Sequence, residues 1–195
     1  MTYRFPSVPS SDLSDPQRQA NEEAERTVRA AFGSSFSLTD SNGALLGPFA
    51  VLTYTPNSFV PYLHHTASVL LTSLFSPRER ELATLAVCSV TKAEYVRYAH
   101  VKIGIAVGFS KEQADGAVEG RMELGLEGRE MLVYELALVM AKNYGRLSDE
   151  AWERGRTVLG RDGMAALSQI VASYLHSSVL VNLAQIKVPG DGVEK

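Results

Sequence analysis

The sequence predicts an all-α protein of about eight helices. Two observations carry this. Helix-capping signals recur at helix-length intervals, and no segment with strand character has a second one to pair with.

In chain order, Asp15-Pro16 sets a capping residue before a proline in the first helical position, and Gly33 closes the run that follows. Residues 34–55 read as irregular, with a turn at Gly47-Pro48; residues 49–55 lean towards β without a partner strand. Thr55-Pro56 opens a stretch reaching about Phe75, with regular helix expected only from near Pro61, because proline inside a helix removes a backbone donor. Three capping boxes follow: Ser76 with Glu79, Thr91 with Glu94, and Ser110 with Gln113. In each, the cap hydroxyl can accept from a free backbone N–H while the third residue on reaches back to another. Gly108 stops the helix before the last of these boxes. Gly145 with Ser148-Asp149-Glu150 marks a further restart, and Gly160 another, ahead of an apolar run from about Asp162 to Ile186. The expected organisation is an N-terminal extension with one helix (1–45), a main helical domain (46–187) and a flexible tail (188–195) containing Pro189, Gly190 and Gly192. Gly125 and Gly128 mark a candidate division into two helical halves.

Composition narrows the function classes. The chain has 195 residues, 45% apolar and 21% charged, with a formal net charge of −3, ordinary for a folded soluble domain. No clustered basic face points to nucleic acid or an anionic membrane. The N-terminus has no signal-peptide-like apolar stretch, and no unbroken run of 18 apolar residues suggests a membrane span. The single cysteine, Cys88, cannot form an intrachain disulfide, which points to a cytoplasmic protein.

Two residues sit where polarity is unexpected. Glu81 lies early in a segment that continues Leu82-Ala83-Thr84-Leu85-Ala86-Val87-Cys88. Alone, it reads as serving the helix dipole or pairing with Arg78. His100 shares a face with Ala93, Val96, Ile103 and Gly104; alone, it reads as a core histidine bonded to a backbone carbonyl. Together they are more informative. Glu81 is ten residues before Thr91 and His100 nine after it, so both lie about 14 Å from the turn if the two helices fold back as a hairpin. A carboxylate beside an imidazole in an apolar pocket fixes the ring's tautomer and raises its basicity, an arrangement for general acid–base chemistry.

The segment Ser76-Pro77-Arg78-Glu79-Arg80-Glu81-Leu82-Ala83-Thr84-Leu85, then Ala93-Glu94-Tyr95, His100 and Gly108-Phe109-Ser110, resembles the central part of the carboxymuconolactone decarboxylase and alkylhydroperoxidase D superfamily. The resemblance is strongest over about residues 46–120 and continues more loosely through Tyr174, Asn182 and Pro189. It implies an all-α fold, a homo-oligomer (dimer, trimer or hexamer) and a pocket around the histidine. Glu81 matches the acidic relay residue of the peroxidase branch and His100 its histidine, but Ala93 and Val96 occupy the two positions of its redox cysteines. The decarboxylase branch carries Tyr-Glu-Trp where this chain has Tyr95-Val96-Arg97.

The resulting expectation is a decarboxylase-like lyase or isomerase, free of metal and cofactor, acting on a small carbonyl, lactone or aromatic-acid compound. His100 shuttles the proton and Glu81 supports it. Tyr95 is expected to bond a developing oxyanion, Arg97 to hold a carboxylate, and His65 to line the pocket, since one of His64 and His65 should face inward. The alternatives are a non-catalytic ligand-binding or structural oligomer, and a thiol peroxidase using Cys88.

Overall fold

The computed structural model describes residues 4–189. The described residues form eight α-helices and no strand beyond an isolated bridge between Thr39 and Leu45. The helices are α1 (Asp15–Phe32), α2 (Pro48–Leu52), α3 (Pro56–Leu70), α4 (Pro77–Thr91), α5 (Glu94–Ala106), α6 (Lys111–Glu119), α7 (Gly128–Lys142) and α8 (Asp149–Ala184). Of the expected tail, 190–195 lies outside the described residues.

Helix α4 is the axis of the fold. The capping box at Ser76 forms in both directions, and every residue from Glu81 to Ser89 is buried. Each fully buried Leu or Val in such a helix contributes about 1.5–3 kcal/mol. Helix α7 packs along α4, so the glycines at 125 and 128 are a turn within one core rather than a division between two. The paired helices are also cross-linked by charge. Arg78 donates to both carboxylate oxygens of Glu130 at 2.7 and 3.0 Å, and Arg129 donates to Glu79 at 2.6 Å. With Arg78 engaged there, Glu81 is left for another partner.

Three local expectations are corrected. Helix α3 begins at Pro56 and runs through Pro61. The bond lost at Pro61 is that to Asn57, which is exposed, so water can take the freed carbonyl. Thr91 is the last residue of α4 instead of a cap for α5: its hydroxyl donates to Val87 O at 3.0 Å, Lys92 turns left-handed at φ 55°, and Ala93 occupies the cap position. The β-leaning residues after Gly47 form the short helix α2.

A second core lies under the N-terminal layer. Ala20, Ala24 and Val28, spaced four apart on α1, meet Phe59 and Leu63 on α3. The small side chains let the two helices approach closely. Helix α8 turns at Gly160 (φ 72°, ψ 175°), and its continuation crosses α2, α3, α4 and α5. One 18-residue window of α8 has a mean hydropathy of 1.4, apolar and long enough to cross a bilayer, but half of it is buried against its own chain. That is the pattern of a core helix.

Candidate active site

The hairpin of α4 and α5 brings the predicted acid and imidazole together. Nδ1 of His100 lies 2.8 Å from Oε2 of Glu81, and both residues are buried, at 7% and 4% exposure. A carboxylate oxygen accepts here, so Nδ1 carries the donated proton and Nε2 is the ring nitrogen left free of Glu81. Within the described residues Nε2 has no hydrogen-bond partner.

Two aromatic rings fix the imidazole from other directions. Tyr174 of α8 stands edge-on at 4.8 Å between centroids, and Phe32 of α1 edge-on at 6.0 Å. Burial, with Glu81 nearby, holds the Tyr174 phenol well above its ordinary pKa of 10.0, so it stays neutral.

His100 faces a cavity of about 90 Å³ between the N-terminal layer and α5 and α8. Its walls are apolar, with Phe36, Phe49, Leu63, Leu70 and Val96 among them, and among the described residues no Lys, Arg, Asp or Glu lines it. Glu81 borders a second hollow of about 200 Å³, together with Ser35 and Arg80. Ala31, Phe32, Leu70 and Leu71 line both spaces, so the pair bridges two compartments that share one wall.

The other expected residues fare differently. Tyr95 lines the cavity, but its hydroxyl donates to Ser37 O at 2.7 Å and is already engaged. Arg97 is exposed and absent from the lining, because its position on α5 is turned away from the stripe carrying Val96 and His100. His65 is exposed too, and so is His64, which meets Glu23 at 3.1 Å. The inward positions of α3 are Tyr62, Leu63, Thr66, Ala67 and Leu70, and the two histidines fall between them. Cys88 is 1% exposed, and burial with Glu81 nearby pushes its thiol far above the ordinary range.

Sequence reasoning missed Phe32, Tyr62, Thr66 and Ser177 as cavity residues. Each looks like an ordinary amphipathic-helix position until the docking of distant helices is known.

Residues 59–138 match the model of the carboxymuconolactone decarboxylase family. The matched segment contains both Glu81 and His100, while Phe32 and Tyr174 come from outside it. A solved structure described as the crystal structure of an alkylhydroperoxidase AhpD core, an uncharacterized peroxidase-related protein from Ralstonia eutropha JMP134, aligns with a TM-score of 0.75. The alignment covers 97% of this chain and 93% of that one, at 19% sequence identity, and establishes the shared helical fold. Among curated proteins, none matches the chain.

Proposed function

We propose that the protein is a proton-transfer catalyst, an isomerase or lyase, acting on a small carbonyl compound. One observation carries this reading: a buried imidazole is held by a carboxylate at Nδ1 and lines an apolar cavity. In this mechanism Nε2 of His100 removes a proton from the carbon beside the carbonyl. The C–H electron pair moves into the carbonyl, giving an enolate, and the imidazolium formed is held by Glu81. Return of the proton to the same carbon, or to the far end of a conjugated system, regenerates Nε2 and leaves an isomer of identical composition. In the lyase variant the ring starts as the imidazolium: a bond from carbon to a substituent breaks, the substituent departs as a neutral molecule and leaves the electron pair on carbon, and Nε2–H of His100 delivers its proton to that carbanion.

The test is hydrogen–deuterium exchange at carbon acids in heavy water, followed by NMR on a panel of ketones, enones and lactones. Wild type should accelerate exchange for at least one member, and His100→Ala should lose roughly 100-fold or more of that rate. Equal rates for the two proteins would remove the assignment.

A second reading is favoured by the size of the cavity, which is well below the roughly 300 Å³ at which ligand pockets usually begin. On that reading the chain is a non-catalytic binder of the same fold, which retains affinity for a small compound without accelerating exchange. The peroxidase description of the structural neighbour finds little support in this chain's chemistry, because its only cysteine is buried and held as the neutral thiol.

A further inference from the structure

The polar groups around the cavity restrict what it can hold. Six hydroxyl-bearing side chains line it: Thr27, Tyr62, Thr66, Tyr95, Tyr174 and Ser177. Four are engaged. Thr27 donates to Glu23 at 3.2 Å, Tyr62 and Ser177 share a bond of 2.5 Å, and Tyr95 donates to Ser37 O. Tyr174 and Thr66 make no hydrogen bond of proper distance and angle among the described residues, although Thr84 is near the first and Tyr62 near the second, and Thr66 Oγ1 is buried. The cavity residues therefore include a buried hydroxyl without a partner at Thr66, together with Tyr174 and the imidazole of His100, in an otherwise apolar wall.

Apart from the imidazole of His100, no basic side chain among the described residues lines the cavity. Arg97 is exposed elsewhere on α5. Arg80 belongs to the second hollow and donates to the carbonyls of Thr72 and Phe75, both at 3.4 Å. A carboxylate entering this space would lose its hydration with no lysine or arginine to receive it, and it would compete with Glu81, already bonded to His100, in the same buried region.

We infer that the ligand is a neutral, largely apolar, ring-sized molecule carrying one carbonyl or hydroxyl oxygen directed at Thr66 and His100, and that carboxylic acids are excluded. This rests on the cavity being the ligand site of the proposed reaction. It also removes decarboxylation from the lyase variant, because a substrate without a carboxylate has no carbon dioxide to lose. Proton relocation within a neutral ketone, enone or lactone, and loss of a neutral fragment from one, remain.

Three probes of similar size separate the outcomes when their binding to the full chain is measured by calorimetry or ligand-observed NMR near neutral pH: acetophenone, benzoate and toluene. Acetophenone should bind at least tenfold more tightly than benzoate. Thr66→Val, which keeps the shape and removes the hydroxyl, should weaken acetophenone by about three- to tenfold and leave toluene unchanged, while Thr66→Ser should restore acetophenone binding. Benzoate binding as tightly as acetophenone would overturn the inference. So would failure of both neutral probes to bind, or equal losses of acetophenone and toluene in Thr66→Val. If the neutral selectivity appears and no carbonyl compound exchanges its protons, the ligand class stands and the catalytic reading fails.

Discussion

Tyr174 on α8 meets His100 on α5 edge to face, with ring centroids 4.8 Å apart and planes at 85°. The imidazole thus has a carboxylate along one edge and an aromatic ring against another, so its orientation is set by two helices far apart in sequence. Replacing Tyr174 with Leu should destabilise the fold by about 2 kcal/mol, from the lost aromatic contact and imperfect filling of the space. Tyr174→Phe keeps the ring and its edge contact with His100, and should cost less than the leucine variant. Urea unfolding of the two variants, compared with wild type, checks the order.

In the proposed reaction Glu81 acts through His100, as a positioning residue. Glu81→Gln keeps a side chain of the same shape but removes the charge that stabilises the imidazolium. It is expected to reduce proton-exchange turnover by roughly 100-fold while leaving KM within a few-fold of wild type, and to alter the pH profile of turnover. Glu81→Ala should in addition destabilise the protein by about 3 kcal/mol, since it leaves a buried imidazole without its partner. A loss confined to KM would count against the positioning role.

Cys88 should be chemically silent while the protein is folded. Its thiol is fully buried in α4 and held neutral, whereas thiol reagents attack the thiolate. Ellman's reagent is expected to react at a rate set by unfolding, with rapid labelling in strong denaturant. Peroxide consumption by wild type and Cys88→Ser should be equal. Fast labelling of the native protein would contradict the burial argument.

Alkaline pH should weaken the fold through its buried phenols. Burial holds Tyr62, Tyr95 and Tyr174 above their ordinary value of 10.0. The unfolded chain releases these protons near pH 10 while the folded chain keeps them. The folded state then binds more protons, and stability falls as pH rises past that point, with no effect well below it. Urea midpoints measured between about pH 8 and 11 should decline at the upper end, less steeply for Tyr62→Phe than for wild type. A midpoint independent of pH in that range would refute the linkage.

Gly47 cannot accept a side chain. Its φ is 64°, and a β-carbon there would land within the ring of Tyr95, which is itself fixed by its bond to Ser37 O. Gly47→Ala should destabilise by about 2 kcal/mol or more, from left-handed strain combined with overpacking. Thermal melting of this variant beside Gly43→Ala compares the two loop glycines: a β-carbon at Gly43 would meet only the exposed Ser10 side chain, so the smaller loss is expected there.

The helices and the central pair were legible from local chemistry. Ser76, Ser110 and Ser148 cap the helices they announce, and the near-equal distances of Glu81 and His100 from one turn placed them at one level. What escaped depended on docking. Thr91 carries the right residues for a cap, yet its hydroxyl bonds back into α4 and reaches Ser178 of α8 at 3.0 Å. His65 and Arg97 were judged by residue type, while the rotation of α3 and α5 against their neighbours decides which side chains face inward. Gly33 marked the end of α1, but nothing local indicated that Phe32 beside it would close over the histidine.

The wall of the cavity is assembled from two kinds of chain. The matched segment supplies Glu81 and His100 together with Thr66, Tyr95 and Val96, whereas Phe32, Phe36, Phe49, Tyr174 and Ser177 come from stretches before and after it. Changes upstream of Phe59 or downstream of Leu138 therefore reach one side of the cavity wall without altering either member of the hydrogen-bonded pair, which makes those flanks the place to reshape the space around a fixed imidazole.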